Sequence, residues 1–192
     1  MEWSSDYYLY DRISKFLKEN NITDYFDPFV YCRSMGWNLI PYTNDGFQDE
    51  RFFELYKISE DGFSIYENNE YSIFYNPLRY EPRINFTISH EIGHIELFHH
   101  FLLPQKILMS SKNKNTIWEK QADTFAGNIL MPAKEFKNLR DLNRRPYVEG
   151  SKYGVSNQAL QVRWNTLNND IKQLNKVNPN EVILWNCFGF LL

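Results

Sequence analysis

The chain has 192 residues, 43% of them apolar and rich in Phe and Tyr, with a net charge of −3. That length suits one domain with a substantial core and a small appendage. The weak negative charge excludes a global pull toward nucleic acid or anionic membrane.

Cys32 and Cys187 have no Cys-x-x-Cys partner and read as reduced structural thiols, with a disulfide between them the alternative. The N-terminus lacks the basic start and apolar run of a signal peptide. No apolar stretch has membrane-spanning length. The expectation is a soluble cytoplasmic protein without membrane contact.

In chain order, residues 6–19 read as a helix with Tyr8, Ile13, Phe16 and Leu17 on its apolar side. Asp27-Pro28 resembles a helix start, with Asp as cap and Pro in the first turn, and Gly36 ends that helix in the left-handed region. Residues 37–42 read as a strand and Thr43–Gly46 as a turn. Residues 51–57 are ambiguous between helix and strand. Phe63–Tyr66 and Tyr71–Tyr75 read as the two arms of a hairpin, stopped by Asn76-Pro77. A small, mainly antiparallel sheet is expected. The second arm, Tyr71, Ser72, Ile73, Phe74 and Tyr75, is a candidate substrate-binding edge, pairing with extended peptide by strand addition. The competing reading is a strand that only covers the core.

Next comes Arg83–Phe98, a run with Ile88, Ile92 and Ile95 at helical spacing. It contains His90-Glu91-Ile92-Gly93-His94, an H-E-x-x-H motif. Residues four apart share a helix face, so His90 and His94 can direct two imidazoles at one ion, with Glu91 beside the first as general base. The competing reading is two core histidines hydrogen-bonded to backbone or carboxylate. His99 and His100 follow. A metzincin-type third histidine would fall at position 100 and needs glycine at 97, where this chain has Leu97, so both read as surface or outer histidines.

Residues 110–116 form a polar loop, and Trp118–Pro132 again shows helical spacing. Hydrolytic zinc sites use three protein ligands and leave a position open. Glu119 can be the third ligand, and Asp123, one turn on, can accept the second N–H of a ligating histidine. Lys134, Lys137, Arg140, Arg144 and Arg145 make a basic patch. Tyr153–Trp164 looks like part of a helix-turn-helix, with Ser156 as cap and a recognition face of Asn157, Gln161 and Arg163. Packing on the domain is favoured over DNA contact, because that face is sparse and the total charge negative. The apolar terminus, residues 181–192, reads either as a closing strand or as a docking segment.

Asn85–His94 and Glu119–Pro132 resemble the ImmA/IrrE family of metallopeptidases. Asp61–Phe63 and Ile73–Pro77 resemble that family's strands ahead of the motif helix. The likeness covers about residues 5–170. The departures are Ile92 where leucine is usual and Asp123 where many members have Asn.

The resemblance implies an α+β, minimal zincin-like peptidase domain over residues 1–140 and a helical, helix-turn-helix-like extension packed on it over 141–192. It implies one zinc ion per chain on His90, His94 and Glu119. It also implies a protein substrate, since members cut helix-turn-helix repressors often encoded beside them. Two rival functions remain open: a regulator that binds a repressor or DNA without cutting, and a broad peptidase.

Overall fold

A computed structural model describes residues 5–103, 116–142 and 152–178. The polar loop before Thr116, Arg144, Arg145, Cys187 and the apolar terminus lie outside the described residues.

Helix α1 (Asp6–Glu19) begins at Ser5, whose side chain accepts from the N–H of Tyr8, and buries Leu9, Tyr10, Ile13 and Phe16. Helix α2 (Pro28–Ser34) is capped by Asp27, which accepts from Phe29 and Val30. Gly36 follows at φ +70°, as the turn requires. Strand β1 (Asn38–Pro41) comes next. The ambiguous segment is helix α3 (Glu50–Ile58), started by Asp49, which accepts from the N–H of Phe52. Strands β2 (Gly62–Glu67) and β3 (Glu70–Tyr75) form the expected hairpin.

Among the described residues the sheet is three-stranded and mixed, in the order β1-β3-β2. β2 and β3 are antiparallel, whereas β1 lies parallel to β3 with Asn38 opposite Ser72 and Pro41 opposite Tyr75. This corrects one expectation. Tyr71–Tyr75 is the central strand, and its ladder groups are committed to neighbours on both sides, so it has no edge for an incoming peptide. The hairpin pattern identified the strand, but its outer neighbour comes from Asn38–Pro41, more than thirty positions earlier in the chain, and short-range pattern does not report that pairing.

On one side of the sheet Phe63 of β2 and Tyr42, just after β1, pack against Phe52 of α3. The other face, with Ile73, joins the main core. Across it runs α4 (Glu81–Glu96), with Ile88 and Ile92 fully buried. Phe98 then takes a left-handed conformation, φ 60°, and the short helix α5 (His99–Leu102) turns back. Helix α6 (Ile117–Leu130) packs along α4, and α7 (Ala133–Asp141) follows after Met131-Pro132.

Helix α8 (Asn157–Val177) starts at Ser156, which accepts from the N–H of Ala159. It packs on α1 and α7, and its Leu160, Leu167, Ile171 and Leu174 join the same core as α1 and α4. The alternative of a DNA-recognition face loses its cation. Arg163 is buried, and its guanidinium donates to the carbonyl of Met131 at 2.8 Å, to Asn128 Oδ1 at 3.0 Å and to Asp170. A cation enclosed this way is not available to a phosphate. The basic patch loses Lys137 in the same way, since it is buried and paired with Asp141. Among the described residues, no helix is long and apolar enough to cross a membrane.

Candidate metal centre

Helical spacing places His90 and His94 on one face of α4, and their Nε2 atoms lie 3.0 Å apart. Glu119, in the first turn of α6, meets them there. Its two carboxylate oxygens are each 3.3 Å from one of these nitrogens. Thr116 and Glu119 have capping-box spacing, and Thr116 Oγ1 accepts from the Glu119 N–H at 3.3 Å. The Glu119 carboxylate, however, is turned to the histidines.

Gly93 permits this approach. A Cβ there would sit 3.2 Å from the Ala122 backbone and from Phe125 Cβ. The residue between the two histidines is therefore small where α6 presses against α4.

The three donor atoms lie within 4.8 Å of one another. Two imidazole nitrogens and one carboxylate at that spacing match the donor set of a hydrolytic zinc site. The residues present thus fit a zinc ion.

Each histidine is anchored from behind. Asp123 Oδ1 is 2.8 Å from His90 Nδ1, where the sequence expects it. His94 Nδ1 is 2.8 Å from His99 Nδ1, and His99 Nε2 is 3.3 Å from Gln121 Oε1. His99 is fully buried, so it is an outer histidine and not a surface one. His100 Nε2 lies 3.0 Å from Ser64 Oγ, and Ser64 donates to Glu91 Oε2 at 2.6 Å. Neither His99 nor His100 belongs to the three-donor group.

The electrostatics follow from this crowding. Burial disfavours charge on His90, but hydrogen bonds with Asp123 and Glu119 and the nearby Glu91 carboxylate outweigh it and raise its pKa to about 10. Burial likewise opposes charge on Glu119, yet hydrogen bonds with His90 and His94 hold its carboxyl well below the usual range. A pocket that favours a proton so strongly also favours a divalent cation. Farther from the carboxylates, burial and the neighbouring His94 push His99 down to about 3 and His100 down to about 4.

His90, Glu91, Glu119 and Asp123 line a cleft of about 730 Å³. The near rim is Asp61 and Gly62 at the head of β2, and the far wall is α8, with Asn165, Thr166 and Asn169. Sequence reasoning missed Ser64, Gln121 and this wall. For Ser64 a signal existed, because strand alternation sets it opposite Phe63 as a polar residue on the core-facing side. Gln121 and the wall depend on which helices meet.

A two-histidine, one-carboxylate centre on a helix beneath a small sheet, with a second carboxylate next to the first histidine, defines a class: the zincin-like metallopeptidases. The chain matches the family model of the IrrE N-terminal-like domain over residues 50–165. That is more than half its length, and the protein belongs to this peptidase family. No curated protein and no solved structure matches it.

Proposed function

We propose that the protein is a zinc-dependent endopeptidase that cleaves a helix-turn-helix transcriptional repressor in the cytoplasm. The observation that carries the reading is the convergence of His90, His94 and Glu119 within 4.8 Å, beside the buried carboxylate of Glu91.

In this reading His90, His94 and Glu119 hold the ion, and Asp123 orients His90 through its Nδ1–H. Bound zinc supplies Lewis acidity, which polarises a peptide carbonyl and lets water release a proton near neutral pH. Glu91 receives that proton on its carboxylate and passes it to the leaving amine, a contribution of roughly 10²–10⁴-fold. The Ser64 hydroxyl keeps the carboxylate in place.

The substrate-holding role passes from β3 to β2. Among the described residues the outer edge of β2 has no strand partner, and its first residue, Gly62, lines the cleft. An extended peptide pairing there would lie between β2 and α8, whose side-chain amides and hydroxyls can hydrogen-bond a peptide backbone. The choice of a repressor as substrate follows the family resemblance.

The test is incubation of the helix-turn-helix repressor encoded nearest the gene with wild type and with Glu91→Gln, each carrying one equivalent of zinc. Cleavage by wild type alone is expected. Equal cleavage by both overturns Glu91 as base. Binding without cleavage by either supports the non-proteolytic regulator, a role that gives no reason to keep a carboxylate beside the first histidine. Rapid digestion of unstructured casein supports the broad peptidase.

A further inference from the structure

We propose that His99 is a positioning residue for the metal centre: it accepts the Nδ1–H of His94, fixes the tautomer of that ligand, and is itself held in the required tautomer by Gln121. The inference rests on the reading of His94 as a ligand and deepens it, because it reaches outside the H-E-x-x-H run.

Three buried side chains in line fix where each proton sits. His94, His99 and Gln121 are 2%, 0% and 4% exposed, so each polar atom needs its partner within the protein. At the outer end, Gln121 Oε1 lies 3.3 Å from His99 Nε2. A carbonyl oxygen only accepts, so His99 Nε2 carries the hydrogen. A neutral His99 then has a lone pair on Nδ1. That lone pair faces His94 Nδ1 at 2.8 Å, and one proton is shared between the two nitrogens. It belongs to His94. His94 Nε2 is therefore left with its lone pair, directed at the point it shares with His90 and Glu119.

Other protonation states fail. A charged His99 carries hydrogens on both nitrogens, which makes His94 Nδ1 the acceptor and moves the His94 proton to Nε2, where it blocks an ion. The reversed Gln121 amide would reverse every bond in the chain with the same result. Full burial of His99 disfavours its charged form.

The fold holds this ring from two sides. Phe98 in its left-handed conformation redirects the chain after α4, so that His99 returns beneath it. Trp118, in the first turn of α6, meets the His99 ring edge-on at 5.1 Å. His99 is thus held between the helix that carries the two histidines and the helix that carries Glu119. The two ligands also receive unlike partners, a carboxylate for His90 and a neutral imidazole for His94.

The experiment measures zinc dissociation constants by competition with a chromogenic chelator, using the full chain. The variants are His99→Leu, His99→Asn and His94→Ala, with folding checked by circular dichroism. His99→Leu is expected to weaken zinc binding by roughly 10–100-fold, the range for loss of an outer partner. His99→Asn places a side-chain carbonyl near the former Nδ1 position and is expected to restore most of the affinity. His94→Ala is expected to lose more than His99→Leu.

If His94→Ala binds zinc like wild type, the metal reading itself fails. If His94→Ala loses zinc while His99→Leu does not, the metal reading stands and the role of His99 is overturned. Equal losses in His99→Asn and His99→Leu also overturn it. Because His99 is fully buried, a measurement without substitution stands beside these. Ring ¹⁵N NMR of zinc-loaded wild type is expected to find hydrogen on His94 Nδ1 and on His99 Nε2. Hydrogen on His99 Nδ1 overturns the proposal whatever the variants do.

Discussion

The hydroxyl of Ser64 donates to the carboxylate of Glu91 at 2.6 Å, which ties the expected base to the strand beside the cleft. His100 lies 3.0 Å behind the same hydroxyl. Because Ser64 donates to Glu91, His100 Nε2 must donate to Ser64. Ser64→Ala removes the hydrogen bond and leaves all three metal-competent donors in place. It is expected to lower kcat about tenfold, a part of what a general base supplies, with zinc affinity and KM nearly unchanged. Steady-state kinetics on a cleaved peptide or protein substrate, beside a chelator titration, check it.

Glu119 and Asp123 sit one turn apart on α6 but face different atoms of His90. Glu119 Oε2 is 3.3 Å from Nε2, and Asp123 Oδ1 is 2.8 Å from Nδ1. Their substitutions should separate accordingly. Asp123→Asn keeps an acceptor without charge and is expected to weaken zinc binding at the low end of the roughly 10–100-fold range. Glu119→Gln removes the anionic donor and is expected to cost more. Competition titrations of the two variants give the order, and a larger loss in Asp123→Asn would exchange their roles.

Arg163 and Asp170 form a buried pair that also engages Asn128 and Tyr10. The network joins α8 to α6 and α1 at the back of the cleft. Arg163→Met leaves the Asp170 carboxylate enclosed without its cation, and a loss of about 3–5 kcal/mol of folding stability is expected. Adding Asp170→Leu removes the stranded charge and should recover a large part of that loss. Urea unfolding of the single and double variants measures both.

Acid should destabilise the metal-free protein before its carboxylates titrate. His100 has a folded pKa near 4 and His99 near 3, both depressed by burial, against an ordinary value of 6.5. Below 6.5 the unfolded chain takes up protons that the folded chain refuses. The contribution of these two histidines is therefore full above that pH and falls as pH drops toward 4. His90 does not act in this window. Its pKa is raised to about 10, so its contribution is complete below 6.5 and is lost progressively as pH rises from 6.5 through 10. Between pH 5 and 6.5 the slope belongs chiefly to His99 and His100. Urea midpoints of chelator-treated protein should fall across that range, and His100→Asn should flatten the fall.

How much of this was legible in the chain depends on distance along it. His90 and His94 could be paired from spacing alone, because four residues make one helical turn and the next residue, Glu91, must lie beside the first ring. Glu119 with Asp123 followed by the same rule. Asp27 and Ser156 begin helices because their side chains satisfy free N–H groups of the first turn, again a local matter.

Tertiary structure decided the rest. Spacing cannot say that Asn38–Pro41 pairs with Ser72–Tyr75, which makes β3 the central one of the described strands. It cannot say that Arg163 is enclosed, since the enclosing groups come from Asn128, Met131 and Asp170 on other turns and another helix. The left-handed Phe98 has neither glycine nor asparagine to announce it, yet it returns His99 to His94 and His100 to Ser64. Local periodicity reflects the geometry of one element, and it supplied the three candidate donors. Their orientation depends on contacts between elements, where burial and hydrogen-bond satisfaction are settled only by packing.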